Sequence, residues 1–483
     1  RLAAEEGVAP EALLAPVDAG GLALGCTLCE DAWDADYALS PLSLIGRDRL
    51  DLAITISCSP YTRDKPLKRH RVFSAQADRL KTPLAAVNAV GLQNNGKTVY
   101  TFDGGSCVYF PGGMVAAIPG RFQPGALDVD LGPGCGAAGV PAALRPDGPA
   151  ELCEALRYGI REFLKDIGLR RVVVGVSGGI DSAVTAALYR LVLDPDCLLL
   201  ANLPSRHNSP TTVALARELA ANLDCLYTEL SIEDSVALTR RQVDGLAVFN
   251  PAGTRRETLA LTPAALDNVQ ARDRSSRLLA ALAAAFGGGF TCNANKAETT
   301  VGYSTLYGDL AGFLAALADL WKADVYALGR HLNERVYGRP VIPEGMFTVT
   351  PSAELNPGQA VERGLGDPLR YPYHDKLFAF WVESWSRGTP EEVLEGYLAG
   401  TLGPLLGFAG QIRDLFSTPQ AFIDDLERWW RLYTGLGVAK RLQAPPVLAV
   451  TRRAFGFDHR EAQMPPWFSR RYLDLKAQAL KGG

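Results

Sequence analysis

No stretch of this chain approaches the roughly 20 consecutive apolar residues that cross a bilayer, and no apolar secretory segment stands behind a basic start. A membrane anchor is therefore not expected, and a cytoplasmic location is. Positive charge is not in excess: 49 Lys plus Arg face 53 Asp plus Glu, which removes the general electrostatic reason to expect nucleic acid or an anionic lipid surface as partner. Cysteine is too irregular for a disulfide framework, since the nine residues are odd in number and show no repeated spacing; free thiols in a reducing compartment fit better. Internal repeats and low-complexity tracts are also missing. Lysine is scarce, 11 residues against 38 Arg, so a Lys inside a motif carries more information than it would in a Lys-rich chain. What remains is a globular composition, 47% apolar and 21% charged, in 483 residues, enough for two or three domains of roughly 100 to 200 residues.

Residues 1–140 read as short strands between Gly/Pro-rich turns. Runs 21–28, 52–57, 83–90 and 107–110 are apolar and of strand length, and 69–80 has helical composition. A Pro/Gly-rich stretch at 139–150 marks a boundary, which divides the chain into domains 1–140 and 141–483. Beyond it Leu152, Leu156, Ile160, Phe163 and Ile167 recur at helical spacing, and Gly168 can end that helix. The Val-rich run 172–176, a helix at 182–193, a strand at 197–203 and a helix at 211–221 alternate as in an open parallel sheet. Further on, 245–263 reads as a polar mobile loop, 275–286 as a helix, 290–293 as a strand and 311–320 as a helix. A long helix is expected at 419–433 and a basic tail at 440–471.

The chemistry starts where the Val-rich strand ends. Ser177-Gly178-Gly179-Ile180-Asp181-Ser182 opens an Ala-rich helix, so backbone N–H groups, two hydroxyls and a helix N-terminus converge on one turn suited to phosphate oxygens. Asp181 adds a hard oxygen ligand of the kind Mg²⁺ prefers. The turn is neither the dinucleotide pattern G-x-G-x-x-G nor the Walker A pattern with its terminal Lys. Its Lys-free form suits a grip on pyrophosphate, with ATP cut beside its α-phosphate. The signature resembles the ATP-pyrophosphatase loop of adenylating, amide-forming enzymes.

Five further segments follow in order: 268–274 (Asn268 to Arg274), 295–298 (Asn295-Lys296-Ala297-Glu298), 302–309 (Gly302 to Asp309), Trp321-Lys322 and 351–355 (Pro351 to Leu355). The whole set resembles glutamine-dependent NAD synthetase, over about residues 20–460. The resemblance implies an α/β fold: an open parallel-sheet, adenine-nucleotide hydrolase-like synthetase domain preceded by an incomplete nitrilase-like layered α/β domain. It implies ATP and Mg²⁺ as cofactors, deamido-NAD, glutamine and ammonia as partners, and a homo-oligomer that channels ammonia between domains. By the same resemblance Ser177, Gly178, Gly179, Asp181, Ser182, Arg272, Lys322 and Ser352 hold ATP or its pyrophosphate. Asp181 and Glu298 bind the metal, and Arg206, Asn268, Asn295, Lys296 and Asp309 face deamido-NAD. Singly, Glu298 also reads as a solvated helix residue, Lys322 as a helix-start surface Lys, and Tyr303 and Tyr307 as an aromatic packing face.

Gly25-Cys26-Thr27-Leu28-Cys29-Glu30-Asp31-Ala32-Trp33 resembles the nucleophile turn of a nitrilase-like glutaminase, with Cys29 as the thiol that attacks glutamine and releases ammonia through a thioester. Cys26, three residues earlier, reads as a buried structural cysteine, because no second pair or nearby His completes a zinc set. Ser57 to Pro60, Lys68 to Arg71, Asn88 and Phe102 to Ser106 are family-like pieces, and the resemblance implies that the last of them lines the glutamine pocket, while Arg69 and Arg71 read equally as a solvated basic loop. In the family the nucleophile works with a Glu and a Lys many tens of residues ahead of it. Here Glu5, Glu6 and Glu11 precede Cys29 but no Lys does, so the expectation is that roughly 100 or more family-equivalent residues are absent from the sequence shown. The alternatives are an ammonia-only NAD synthetase with a glutaminase remnant, or another ATP-pyrophosphatase amidotransferase.

Overall fold

The computed structural model describes residues 2–9, 12, 14–34, 37–45, 50–118, 120–132, 148–455 and 467–481. Most of the expected boundary stretch, 139–147, lies outside the described residues. Two compact units emerge, Arg1–Gln93 with Tyr100–Gly159, and Asn94–Val99 with Ile160–Gly483.

The first unit is built on a six-stranded sheet of β1 (Val17–Ala19), β2 (Leu22–Leu28), β3 (Leu52–Ser57), β4 (Leu84–Asn88), β5 (Cys107–Tyr109) and β6 (Val115–Ala117), in that spatial order. β2, β3 and β4 are parallel and the outer pairings antiparallel. Helix α1 (Lys65–Leu80) buries Phe73 and Ala77 in the same core as Ala53, Leu84 and Tyr109. Strand alternation decides what the other face shows: Leu28 pairs with Ile56 and Ile56 with Val87, and all three are exposed. Cys26 lies on that face, paired with Ile54, and is exposed rather than buried. The expectation of a structural core cysteine fails because Gly25 and Thr27, not Cys26, point to the helix side.

The second unit carries a four-stranded, fully parallel sheet of β7 (Val172–Gly175), β8 (Leu198–Asn202), β9 (Leu226–Glu229) and β10 (Gly289–Phe290), ordered β9-β8-β7-β10. Helix α2 (Gly148–Asp166) leads into it, α3 (Ile180–Arg190) follows β7, and α4 (Pro210–Leu223) follows β8. The three valines of β7 are fully buried, as a strand covered on both faces requires. A longer helical stretch begins earlier than expected: α5 (Pro263–Arg272) runs through a π-helical segment, Asp273–Leu279, into α6 (Ala280–Phe286). The stretch 245–263 is not merely a loop, since Ala247–Phe249 and Arg256–Thr258 pair as an antiparallel hairpin closed by a turn at Asn250 and Gly253. The helix expected at 311–320 is absent. Leu314, Ala315, Leu317 and Leu320 are buried, and Ala315 bridges in parallel to Cys292 and to Val447. An Ala/Leu run enclosed on every side has no polar face, so its periodicity does not separate helix from extended chain.

Three more helices frame the site: α7 (Lys296–Val301), α8 (Lys322–His331) and α9 (Tyr371–Glu383). α9 and α10 (Pro419–Thr434) share an aromatic core that includes Phe378, Trp381, Phe422 and Trp429, and this core fixes α9 against α7 and α8. Among the described residues no helix is long and apolar enough to cross a membrane.

Candidate active site

The glycine-rich turn sits at the carboxyl end of β7, where open α/β sheets gather ligands. Ser182 Oγ accepts the Ser177 N–H at 3.2 Å and donates to the Gly179 carbonyl at 3.0 Å, while Ser177 Oγ accepts the Gly179 N–H at 3.3 Å. These bonds fix the turn without covering it. Gly179 caps α3 with no side-chain acceptor, so the first amides of that 11-residue helix are left to an incoming anion. Gly178 has φ +89°, and a Cβ there would lie 2.2 Å from the Thr212 carbonyl oxygen, so both backbone angle and space demand glycine. Gly178→Ala should cost about 1–3 kcal/mol through strain and remove ATP binding. A thermal midpoint and nucleotide affinity equal to the parent's would contradict this.

Across the cavity, Asn295 caps α7: its side chain accepts the Glu298 N–H, and the Glu298 carboxylate accepts the Asn295 N–H in return at 3.2 Å. That capping box anchors Glu298, whose other oxygen accepts the Tyr371 hydroxyl at 2.9 Å. Lys322, first residue of α8 and buried, forms an ion pair with Asp181, and Asn295 Nδ2 donates to the second Asp181 oxygen at 3.2 Å. The pieces enclose a cavity of about 280 Å³ lined by Ser177, Gly179, Asp181, Ser182, Glu298, Asp309, Lys322 and Ser352, among others. Five carboxylates (Asp181, Glu298, Asp309, Glu354, Asp367) meet two cations (Arg274, Lys322) on its wall.

That imbalance sets the electrostatics. Burial, then repulsion from Asp181, pushes Glu298 well above the usual carboxylate range, with Lys322 opposing. Burial also raises Asp367 and brings Arg274 down to about 10. Burial works against the Lys322 cation, but Asp181 and Glu298 outweigh it and hold its pKa above the ordinary value. Glu298 ionises less readily in the folded chain than in the unfolded one, so it penalises folding increasingly as pH rises above its ordinary 4.5. Glu298→Gln lacks that penalty. Its ligand-free thermal midpoint should exceed the parent's by a margin that grows between about pH 5 and pH 8, and a margin independent of pH would contradict the shift.

Not every expected residue reaches the cavity. Lys296 is fully buried and pairs with Asp319 and Glu383, each at 2.8 Å. Arg206 is exposed and pairs with Glu233, and Arg272 is exposed with its Nε donating to the Leu306 carbonyl at 3.0 Å. Asn268 accepts the Thr305 hydroxyl at 2.6 Å, and neither residue lines the cavity. The bland readings of Glu298 and Lys322 fail, since both face the cavity rather than solvent. Tyr303 lines the cavity and donates to Asp367 at 3.0 Å, whereas Tyr307 is 63% exposed.

Three residues were missed. Arg274 sits in the π-helical segment, where the wider turn brings it to the wall. There it holds the 203–208 loop through the Leu203 carbonyl (2.9 Å), Ser205 Oγ (3.3 Å) and Asn208 Oδ1 (3.0 Å). Glu354, at φ +46°, accepts from the Ser209 N–H at 2.9 Å and the Thr212 hydroxyl at 2.7 Å. Both belong to segments quoted from the sequence, so the signal was present. Tyr371 had none.

In the first unit, Cys29 follows β2 directly, begins the 3₁₀ turn Cys29–Ala32 and has φ +42°, an unusual angle for a side-chain-bearing residue. Arg69 does not belong to a solvated loop: it is buried in α1, pairs with Asp103 at 2.9 Å and donates to the Gly104 carbonyl at 3.0 Å. Arg71 is exposed. Asn88 ties the family-like pieces together, accepting the Ser59 N–H at 2.9 Å and donating to the Gly104 carbonyl at 2.9 Å.

Residues 152–397 match the family described as NAD synthase. A glutamine-dependent NAD(+) synthetase of Synechocystis sp. is 32% identical over 442 residues, 90% of this chain and 71% of that protein. One from Rhodobacter capsulatus is 30% identical over 461 residues, 94% and 75% of the two chains. Among solved structures, the glutamine-dependent NAD+ synthetase of Acinetobacter baumannii in complex with ADP superposes with a TM-score of 0.60 at 23% identity, covering 94% of this chain and 74% of that one. That of Cytophaga hutchinsonii gives 0.64 at 16%, covering 96% and 74%. These two likenesses concern the fold: a parallel-sheet synthetase unit joined to a nitrilase-like amino-terminal one. With the family match spanning half of the sequence and the relatives aligned through both units, the chain belongs to the glutamine-dependent NAD+ synthetases.

Proposed function

We propose that this chain amidates deamido-NAD at the cavity between β7, α7 and α8, using ammonia that Cys29 releases from glutamine. The nicotinate carboxylate attacks the α-phosphorus of ATP and pyrophosphate leaves; ammonia then displaces AMP from the acyl adenylate to give the amide. The observation that carries the reading is the convergence of the Ser177–Ser182 turn, Asp181, Glu298 and Lys322 on one cavity wall.

The donor set fits Mg²⁺, which is usually held by one or two carboxylates plus substrate phosphates. Asp181 and Glu298 are such a pair, close enough for Asp181 to raise the Glu298 pKa, and five wall carboxylates could not admit a triphosphate without added cations. Bound there, the ion would neutralise phosphate charge as it develops on the leaving group. The chain's own groups do the rest. Ser177, Ser182 and the α3 amides hold the β- and γ-phosphates, and Lys322 exchanges its Asp181 partner for a phosphate oxygen. Ser352 completes the phosphate wall, and Asp309 faces deamido-NAD. Both reactants are anionic, and this fixed array lets the carboxylate approach the α-phosphorus.

Ammonia formed at Cys29 is consumed at the adenylate before bulk water protonates it, and we propose a homo-oligomer as the working form. The test is NAD formation from deamido-NAD, ATP and Mg²⁺ with glutamine and ammonium supplied separately. AMP and pyrophosphate are expected as products, and ADP would overturn the reading.

A further inference from the structure

We infer that Tyr371 is the positioning residue that sets Glu298 and Lys322 for the triphosphate and its metal; the inference rests on the reading of those two groups given above. Tyr371 is the first residue of α9, only 6% exposed, and is not itself part of the cavity wall. Its hydroxyl donates to Glu298 Oε1 at 2.9 Å, while the Asn295 N–H occupies Oε2. The Lys322 ammonium lies 4.7 Å from the centre of its ring, an attractive cation–π contact. One aromatic side chain with two rotatable bonds thus touches the carboxylate from α7 and the cation from α8.

The rest of α9 keeps that contact in register. One turn on, Asp375 accepts the N–H of Ala323, the residue after Lys322, at 3.2 Å. At the far end Glu383 accepts from Lys296 at 2.8 Å and from Trp321 Nε1 at 2.9 Å. α9 therefore grips the first turns of both α7 and α8. Outer hydrogen-bond partners of this kind typically contribute about 10- to 100-fold to metal affinity. Without the Tyr371 hydroxyl, Glu298 Oε1 would lose that donor while the carboxylate is still repelled by Asp181.

The test is Mn²⁺ binding, followed by loss of the free-ion electron paramagnetic resonance signal, in the presence of an ATP analogue whose α,β-bridge cannot be cleaved. Tyr371→Phe should weaken Mn²⁺ binding about 10-fold or more and leave metal-free analogue affinity unchanged, because the ring stays beneath Lys322. Tyr371→Leu should weaken both. Glu298→Gln is the control. If Glu298→Gln loses Mn²⁺ and Tyr371→Phe binds it like the parent, the positioning role is overturned. A merely structural tyrosine would lower the thermal midpoint and leave Mn²⁺ affinity intact, which also overturns it. Parent-like Mn²⁺ binding by Glu298→Gln would instead remove the metal-ligand assignment on which the inference stands.

Discussion

Asp181→Asn should lower NAD formation by about 10²- to 10³-fold or more, and equally with glutamine and with ammonium, because the proposed role of the group removed is on ATP rather than on the nitrogen source. The substitution keeps the shape of the side chain and its place in the first turn of α3, so the turn from Ser177 to Ser182 should survive. What disappears is charge. Lys322 loses its ion-pair partner while remaining buried, and the proposed Mg²⁺ site loses one of its two carboxylates. A buried, unpaired ammonium costs several kcal/mol in a dry site, so some of the loss should appear as weaker folding of the ligand-free chain. The distinguishing measurement is the ratio of the two nitrogen sources: a variant impaired with glutamine but parent-like with ammonium would mean that Asp181 has no part in handling ATP.

How much of this was legible beforehand depends on where the information resided. The glycine-rich turn could be read because its chemistry is local: strand, glycines, hydroxyls and helix follow one another over a few residues, and the structure closes them on themselves. Strand β3 was expected at 52–57 and is found there, since an apolar run bounded by turn residues fixes a strand by itself. Glu298 and Lys322 could be named through the family resemblance, but not what holds them. Tyr371 lies 73 residues beyond Glu298, and no spacing rule joins them; only the packing of α9 does. Lys296 shows the opposite error. Glu298, two residues on, faces the cavity, yet on the same short helix Lys296 turns away from it into a buried pair with Asp319 and Glu383. Cys26 fails for a related reason, since alternation along β2 assigns it to the open face. The 311–320 segment was misread because burial on all sides erases periodicity, the signal on which helix and strand are told apart.

Cys29→Ala is expected to abolish glutamine-driven synthesis, by about 10⁴-fold or more if it is the nucleophile, and to leave ammonium-driven synthesis at the parent level. The backbone supplies an argument independent of the resemblance. Cys29 sits at φ +42° at the end of a parallel strand, and a residue with a Cβ pays of order 1–3 kcal/mol to stay in that region. Strain of this kind persists where the surrounding fold imposes it, and a strained strand-to-turn position projects a side chain out of the sheet for chemistry. Asp31 helps to impose it, accepting the Leu28 N–H at 3.0 Å beneath the turn. Cys29→Gly then separates strain from chemistry. Glycine takes the same angle at little cost, so this variant should melt higher than Cys29→Ala and yet be equally unable to use glutamine. Cys26→Ala is the matched control, an exposed thiol three residues away in ordinary strand geometry, and should keep glutamine turnover. Retained glutamine use in Cys29→Ala, or its loss in Cys26→Ala with Cys29 intact, would move the nucleophile elsewhere.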